Sequence, residues 1–81
     1  MGSAVYSKRY REFLRRLRAA RLEVGLTQTE VAALLNVHQS YVSKCESGER
    51  RVDVIELTDF ATIYQKPLLY FVEPGVGSTS S

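Results

Sequence analysis

Between His38 and Glu46 the chain carries Gln39, Ser40, Tyr41, Ser43 and Lys44, side chains whose donors and acceptors suit the edges of nucleic-acid bases. Glutamine pairs bidentately with adenine, and lysine donates to guanine or to a phosphate. Tyr41 is open to three readings: a thymine methyl, a phosphate, or solvent. Gln39 and Ser40 lead this set, because residues at the start of a reading helix go deepest into a major groove. His38 lies at or near the cap of such a helix, where it is placed to donate to a phosphate. It is the only histidine and has no Cys, Asp or Glu at ligand spacing, so no metal site is expected.

These side chains must be held by two short helices meeting at a tight break. Thr27 followed three residues on by Glu30 is a capping box, which starts a helix at Gln28. Val31, Ala32 and Leu35 then recur at helical spacing and give it one apolar face. Asn36 interrupts, and asparagine is the non-glycine residue most at ease in the left-handed conformation that closes helices. The second helix runs from about Gln39 to Glu46. Only Val42 and Cys45 are plainly apolar in it, so its buried edge is thin and its polar face broad. A major groove admits one such helix, braced by a close neighbour, and the small Ala32 permits the close approach. The same pattern also fits a helical hairpin in any small bundle.

Around this pair the chain supplies three more helices. Ser7 is placed to cap a first helix running to about Val24 and ended by Gly25. Its core stripe is Tyr10, Phe13, Leu14, Leu17, Ala20 and Val24. Its arginines lie mostly off that stripe, on a solvated face from which Arg9, Arg15 or Arg18 could reach a phosphate. Ser47-Gly48-Glu49 is turn chemistry, with Gly48 suited to positive φ. Asp53 and Glu56 form a second capping box, opening a helix at Val54 whose buried side is Ile55, Leu57, Phe60, Ala61 and Tyr64. Lys66 ends that helix, because Pro67 disfavours helical geometry in the residue before it. Pro67 opens a fifth helix to about Val72. Its apolar residues, Leu68, Leu69, Tyr70, Phe71 and Val72, go all round, so part of that surface is expected to meet a second copy of the chain. The competing reading folds all of it back on the first and fourth helices. Residues 1–6 read as a flexible N-terminus, 7–72 as the domain and 73–81 as a flexible tail.

Composition narrows the classes of function. Eighty-one residues with 44% apolar content allow one globular domain near the lower size limit for an unaided core. A single cysteine excludes an internal disulfide framework and fits a reducing, cytoplasmic setting. No apolar run approaches a membrane span, and no secretory signal is recognisable. Net charge is only +2, but seven of the basic residues fall between Ser7 and Val24, while Asp53, Glu56, Asp59 and Glu73 face only Lys66 beyond residue 52. That polarity can orient the approach to a polyanion. Enzyme chemistry is not supported. There is no glycine-rich phosphate loop and no pair of metal ligands, and Cys45 lies about two helical turns from His38, too far for direct proton transfer. Cofactors and small-molecule ligands are therefore not expected.

Arg21, Gly25-Leu26-Thr27-Gln28, Glu30-Val31-Ala32, Val37, Val42-Ser43, Glu46-Ser47-Gly48, Arg50 and Leu57 together resemble the XRE (Cro/C1-type) helix-turn-helix family, over about Arg18 to Tyr64. The resemblance implies an all-α, compact five-helix lambda-repressor-like domain, with the helix-turn-helix at the second and third helices. It implies an ion pair between Arg21 and Glu46. Thr27 and Gln28 become phosphate contacts at a helix N-terminus favourable to anions, and the Arg50–Arg51 loop lies beside the DNA backbone. Three positions depart from the family pattern: Asn36 stands where glycine is usual, Val52 where proline is common, and Cys45 where a bulkier apolar residue is typical. The function implied is a sequence-specific transcriptional regulator, a repressor, binding a near-palindromic operator in double-stranded DNA as a homodimer. The alternative is an antitoxin or interaction module whose C-terminal helix binds a partner protein.

Overall fold

The computed structural model describes residues 7–72, and the segments expected to be flexible, 1–6 and 73–81, lie outside the described residues. Five helices follow one another: α1 (Lys8–Glu23), α2 (Gln28–Leu35), α3 (Gln39–Ser47), α4 (Val54–Tyr64) and α5 (Leu68–Phe71). Among the described residues there is no strand.

Each boundary has a local cause. Ser7 accepts from the Tyr10 N–H and starts α1. Thr27 with Glu30, and Asp53 with Glu56, form complete capping boxes at the starts of α2 and α4. His38 caps α3 through its own side chain, which accepts from the Ser40 N–H. The left-handed Asn36 (φ 60°) closes α2, and its neighbour Val37 donates to Ala32 O at 3.0 Å. Gly48 (φ 89°) closes α3.

The core is a cluster of Phe13, Leu17 and Ala20 from α1, Val31 and Ala32 from α2, Val42 and Cys45 from α3, Leu57, Phe60, Ala61 and Tyr64 from α4, and Phe71 from α5. The α2–α3 contact is the most extensive between elements, as the small Ala32 allows. Below α3 an aromatic row runs from Tyr41 to Phe60 to Tyr64, with ring centroids 6.4 and 5.9 Å apart.

Several sequence expectations are corrected. Val24 caps the end of α1 and is 39% exposed, so the stripe stops at Ala20 and Arg21 occupies the next buried position. Ile55 is 67% exposed, because the first turn of α4 stands clear of the core and Leu57 is its first buried residue. The end of α4 is set one residue earlier than Pro67 implied: Gln65 adopts the left-handed conformation (φ 58°) and Lys66 donates back to Ala61 O at 3.0 Å. α5 is correspondingly shorter, with Pro67 as its cap and Val72 already extended. Phe71, expected at a surface between copies, is completely buried in this chain's own core. Arg16 fastens the segment down, donating to Tyr70 O at 3.2 Å and to Glu12 at 3.0 Å.

Phe71→Ala is therefore expected to cost about 3–5 kcal/mol in urea unfolding. Leu34→Ala, at a position 62% exposed, should stay within about 0.5 kcal/mol. Equal effects would contradict the placement of α5. Burial pushes the Cys45 thiol up to about 11, so the reactive thiolate is scarce at neutral pH. Alkylation of Cys45 is expected only after denaturant is added, and prompt labelling of the native protein would refute its burial.

Candidate nucleic-acid interface

Arg21 and Glu46 form a buried ion pair whose side chains are 8% and 5% exposed. The guanidinium meets the carboxylate through two parallel bonds, Nε to Oε2 at 2.6 Å and Nη2 to Oε1 at 3.1 Å. Its third nitrogen, Nη1, donates to Leu26 O at 2.9 Å. One side chain of α1 thus fixes both the α1–α2 loop and the end of α3. The hydrogen bond to Glu46 holds the Arg21 guanidinium even above its ordinary value, so it stays charged despite its burial.

From this pair a chain of amides leads to the surface. Gln28 Nε2 donates to Glu46 Oε1 at 3.0 Å, and Gln39 Nε2 donates to Gln28 Oε1 at 3.0 Å. Gln28 belongs to the first turn of α2 and Gln39 to the first turn of α3. The sequence nominated both residues, but gave no sign that they bond to each other. Thr27 lies beside them, exposed, with its hydroxyl committed to the Glu30 N–H at 3.1 Å.

The other nominated residues fall into two groups. Gln39 and Lys44 are exposed along α3, and Ser40, Tyr41 and Ser43 are half-buried. His38 is exposed; its Nδ1 accepts from the Ser40 N–H at 3.1 Å and lies 3.0 Å from the Ser40 hydroxyl. In the neutral ring that leaves the hydrogen on Nε2, a donor suited to a phosphate oxygen. The Tyr41 ring stacks on Phe60 and carries the Arg50 guanidinium 4.8 Å from its centre. Burial pushes the Tyr41 hydroxyl up to about 12. Of the three readings left open for Tyr41, free solvent exposure is the one this packing removes.

Arg50 also pairs with Glu56 of α4, and its backbone N–H donates to Lys44 O at 3.1 Å. The loop after α3 is therefore folded against the helix end. Arg51 turns the other way, its guanidinium 4.5 Å from the centre of the Tyr10 ring. Tyr10 in turn accepts from the Val52 N–H at 3.1 Å. Arg50 stands beside α3 while Arg51 packs toward α1, a division that the adjacent pair in the sequence did not reveal. Among the described residues no group of His, Cys, Asp and Glu is arranged to hold a metal ion.

A polar helix face, a buried charge bracing it and a close-packed supporting helix are the parts needed to present side chains to a duplex groove. The family model described as HTH_3, Helix-turn-helix, matches residues 17–71, well over half the chain. No curated protein matches. Among the described residues no helix is long and apolar enough to cross a membrane.

Glu46→Gln leaves the Arg21 charge buried against a neutral amide. Breaking one side of a buried pair costs about 3–5 kcal/mol, so a marked fall in thermal midpoint is expected. An unchanged midpoint would show that the pair does not brace the fold.

Proposed function

The chain belongs to the HTH_3 helix-turn-helix family of DNA-binding proteins, the XRE or Cro/C1 type, and from that premise we propose that it is a repressor reading a near-palindromic operator as a homodimer. DNA binding and transcription regulation come with the family. What supports base reading by α3 is one observation: Gln39 is exposed at the start of α3 yet bonded, through Gln28, to a buried ion pair. A side chain held in place before the partner arrives loses less entropy on binding.

In this reading α3 enters the major groove. Gln39 and Ser40 meet base edges first, and Ser43 and Lys44 lie further along. Thr27, Gln28 and His38 stand at the two helix starts, where free N–H groups favour phosphate. Arg50 and Arg51 supply charge from the following loop, Arg50 next to α3 and Arg51 further toward α1. Phosphate contacts position the protein, and the base contacts specify.

Two copies are needed because one short helix reads only a few base pairs. What supports self-association is apolar surface left in solvent: Val54, Ile55 and Leu69 are 64%, 67% and 72% exposed, with Leu68 and Val72 less so. Tyr70 is half-buried and edge-on to Phe71, so it contributes its rim. The two reading helices would sit about 34 Å apart, one turn of DNA. A cytoplasmic location follows from that role.

Selection from a random duplex pool is expected to return a motif with two inverted halves, and sedimentation to give a dimer. Gln39→Ala should relax preference at one position of each half by about 1–3 kcal/mol, while other positions keep theirs. A monomer that co-purifies with another protein and selects no duplex would replace this reading with that of an interaction module.

A further inference from the structure

We propose that Glu56, a positioning residue acting through Arg50, confines the Arg50 phosphate contact to complexes in which α3 is fully seated, and so widens the gap between operator and unrelated DNA. The inference rests on the placement of α3 in the major groove given above.

Arg50 is fixed from three directions. Its backbone N–H donates to Lys44 O at 3.1 Å, which ties its main chain to the end of α3. Its guanidinium lies 4.8 Å from the centre of the Tyr41 ring, on the same helix. Glu56 of α4 closes the arrangement, its Oε2 accepting from Arg50 Nη2. Glu56 is itself held, because its Oε1 accepts from the Asp53 N–H at 3.0 Å as half of the α4 capping box. The Arg50 side chain is 44% exposed and that of Glu56 only 21%. A long side chain at the surface is thus given one position relative to α3.

A guanidinium has five N–H donors. One goes to Glu56 and one, at 3.4 Å, to Arg51 O, which leaves three for a phosphate. A phosphate that arrives where the guanidinium already stands is met without breaking the Glu56 pair and with little further loss of side-chain freedom. That place is carried by α3, so a seated α3 brings the phosphate to it. Non-specific complexes are held by backbone charge and slide along the duplex without a fixed register. There Arg50 reaches a phosphate only by leaving Glu56 and the Tyr41 ring. Glu56 therefore penalises the wrong complex and spares the right one, a common route to specificity.

The test compares affinities for the selected operator and for an unrelated duplex of the same length. Glu56→Gln removes the ion pair, while glutamine at that position still completes the capping box. It is expected to raise affinity for the unrelated duplex by roughly 1.4- to 5-fold, as the loss of an exposed ion pair allows, and to leave operator affinity where it was. On the unrelated duplex the slope of log affinity against log salt should steepen by about 0.9, one more phosphate being engaged. With Arg50→Ala in place, the same Glu56 change should alter neither affinity, since coupled residues are non-additive. An acidic charge acting at long range would, on removal, strengthen both duplexes alike with or without Arg50, and that result overturns the proposal. So does an unchanged ratio, or one that narrows only because operator affinity falls. If selection returns no preferred duplex, the operator-reading function itself falls, and this inference with it.

Discussion

A charge buried between α1 and α3 is the constraint from which the rest of this domain's geometry follows. Taking two ions out of water is costly, and the attraction between them offsets that only when every donor and acceptor is used. Arg21 and Glu46 come close to this condition. The guanidinium gives two bonds to the carboxylate and one to Leu26 O, and the carboxylate takes one more from Gln28. An apolar pair of similar volume would fill the space, but would not specify where α3 ends relative to the α1–α2 loop. Direction is what the ion pair adds. It lets helices of nine and eight residues, too short to be stable alone, hold a defined angle to each other.

Short helices also depend on their ends. In α2 and α3 a large share of the backbone N–H and C=O groups are terminal ones with no partner inside the helix. The chain answers with a cap at nearly every end: a capping box at Thr27, a left-handed Asn36, His38 accepting from the Ser40 N–H, and a left-handed Gly48. His38 and Ser40 are consequently tied to the start of the helix that the proposed reading places in the groove. In that reading capping and DNA contact fall on the same side chains, which limits how freely this stretch can change.

Much of this was legible from residue types alone. The two capping boxes, the Asn36 closure, the thin buried edge of Val42 and Cys45, and the break after Gly48 each rest on local chemistry within a few residues, and they fall where the spacing put them. The Arg21–Glu46 pair spans 25 residues, and it was the resemblance, not the spacing, that pointed to it. What could not be read depends on where an element sits against others. Ile55 fits the apolar face of α4 by periodicity, but the first turn of that helix overhangs the core. Phe71 is indistinguishable in pattern from its exposed neighbours Leu68 and Leu69, and the packing of α5 on the core decides that it is the one pressed inward. Arg50 and Arg51 are adjacent and alike, yet they rest over different rings, Tyr41 and Tyr10. The Gln28–Gln39 bond joins two helix starts whose separation depends on the turn between them.

The packing beneath α3 accounts for one departure from the family pattern. A small Cys45 gives α3 less apolar bulk than a larger residue would, although it and Val42 are both fully buried. One turn earlier Tyr41 widens that edge, laying its ring on Phe60, itself stacked on Tyr64. Arg50 then covers the Tyr41 ring and is held there by Glu56. The helix is thus gripped at both ends, by an aromatic row near its start and a buried carboxylate at its finish, and is left thin in the middle. Tyr64 connects the two grips: its hydroxyl is buried and, among the described residues, without a hydrogen-bond partner, in the electrostatic neighbourhood of Glu46 and Arg21. Burial holds that hydroxyl neutral, well above its ordinary range. A helix supported in this way leaves Gln39 and Lys44 exposed and free of packing duties, as the proposed reading of base pairs requires.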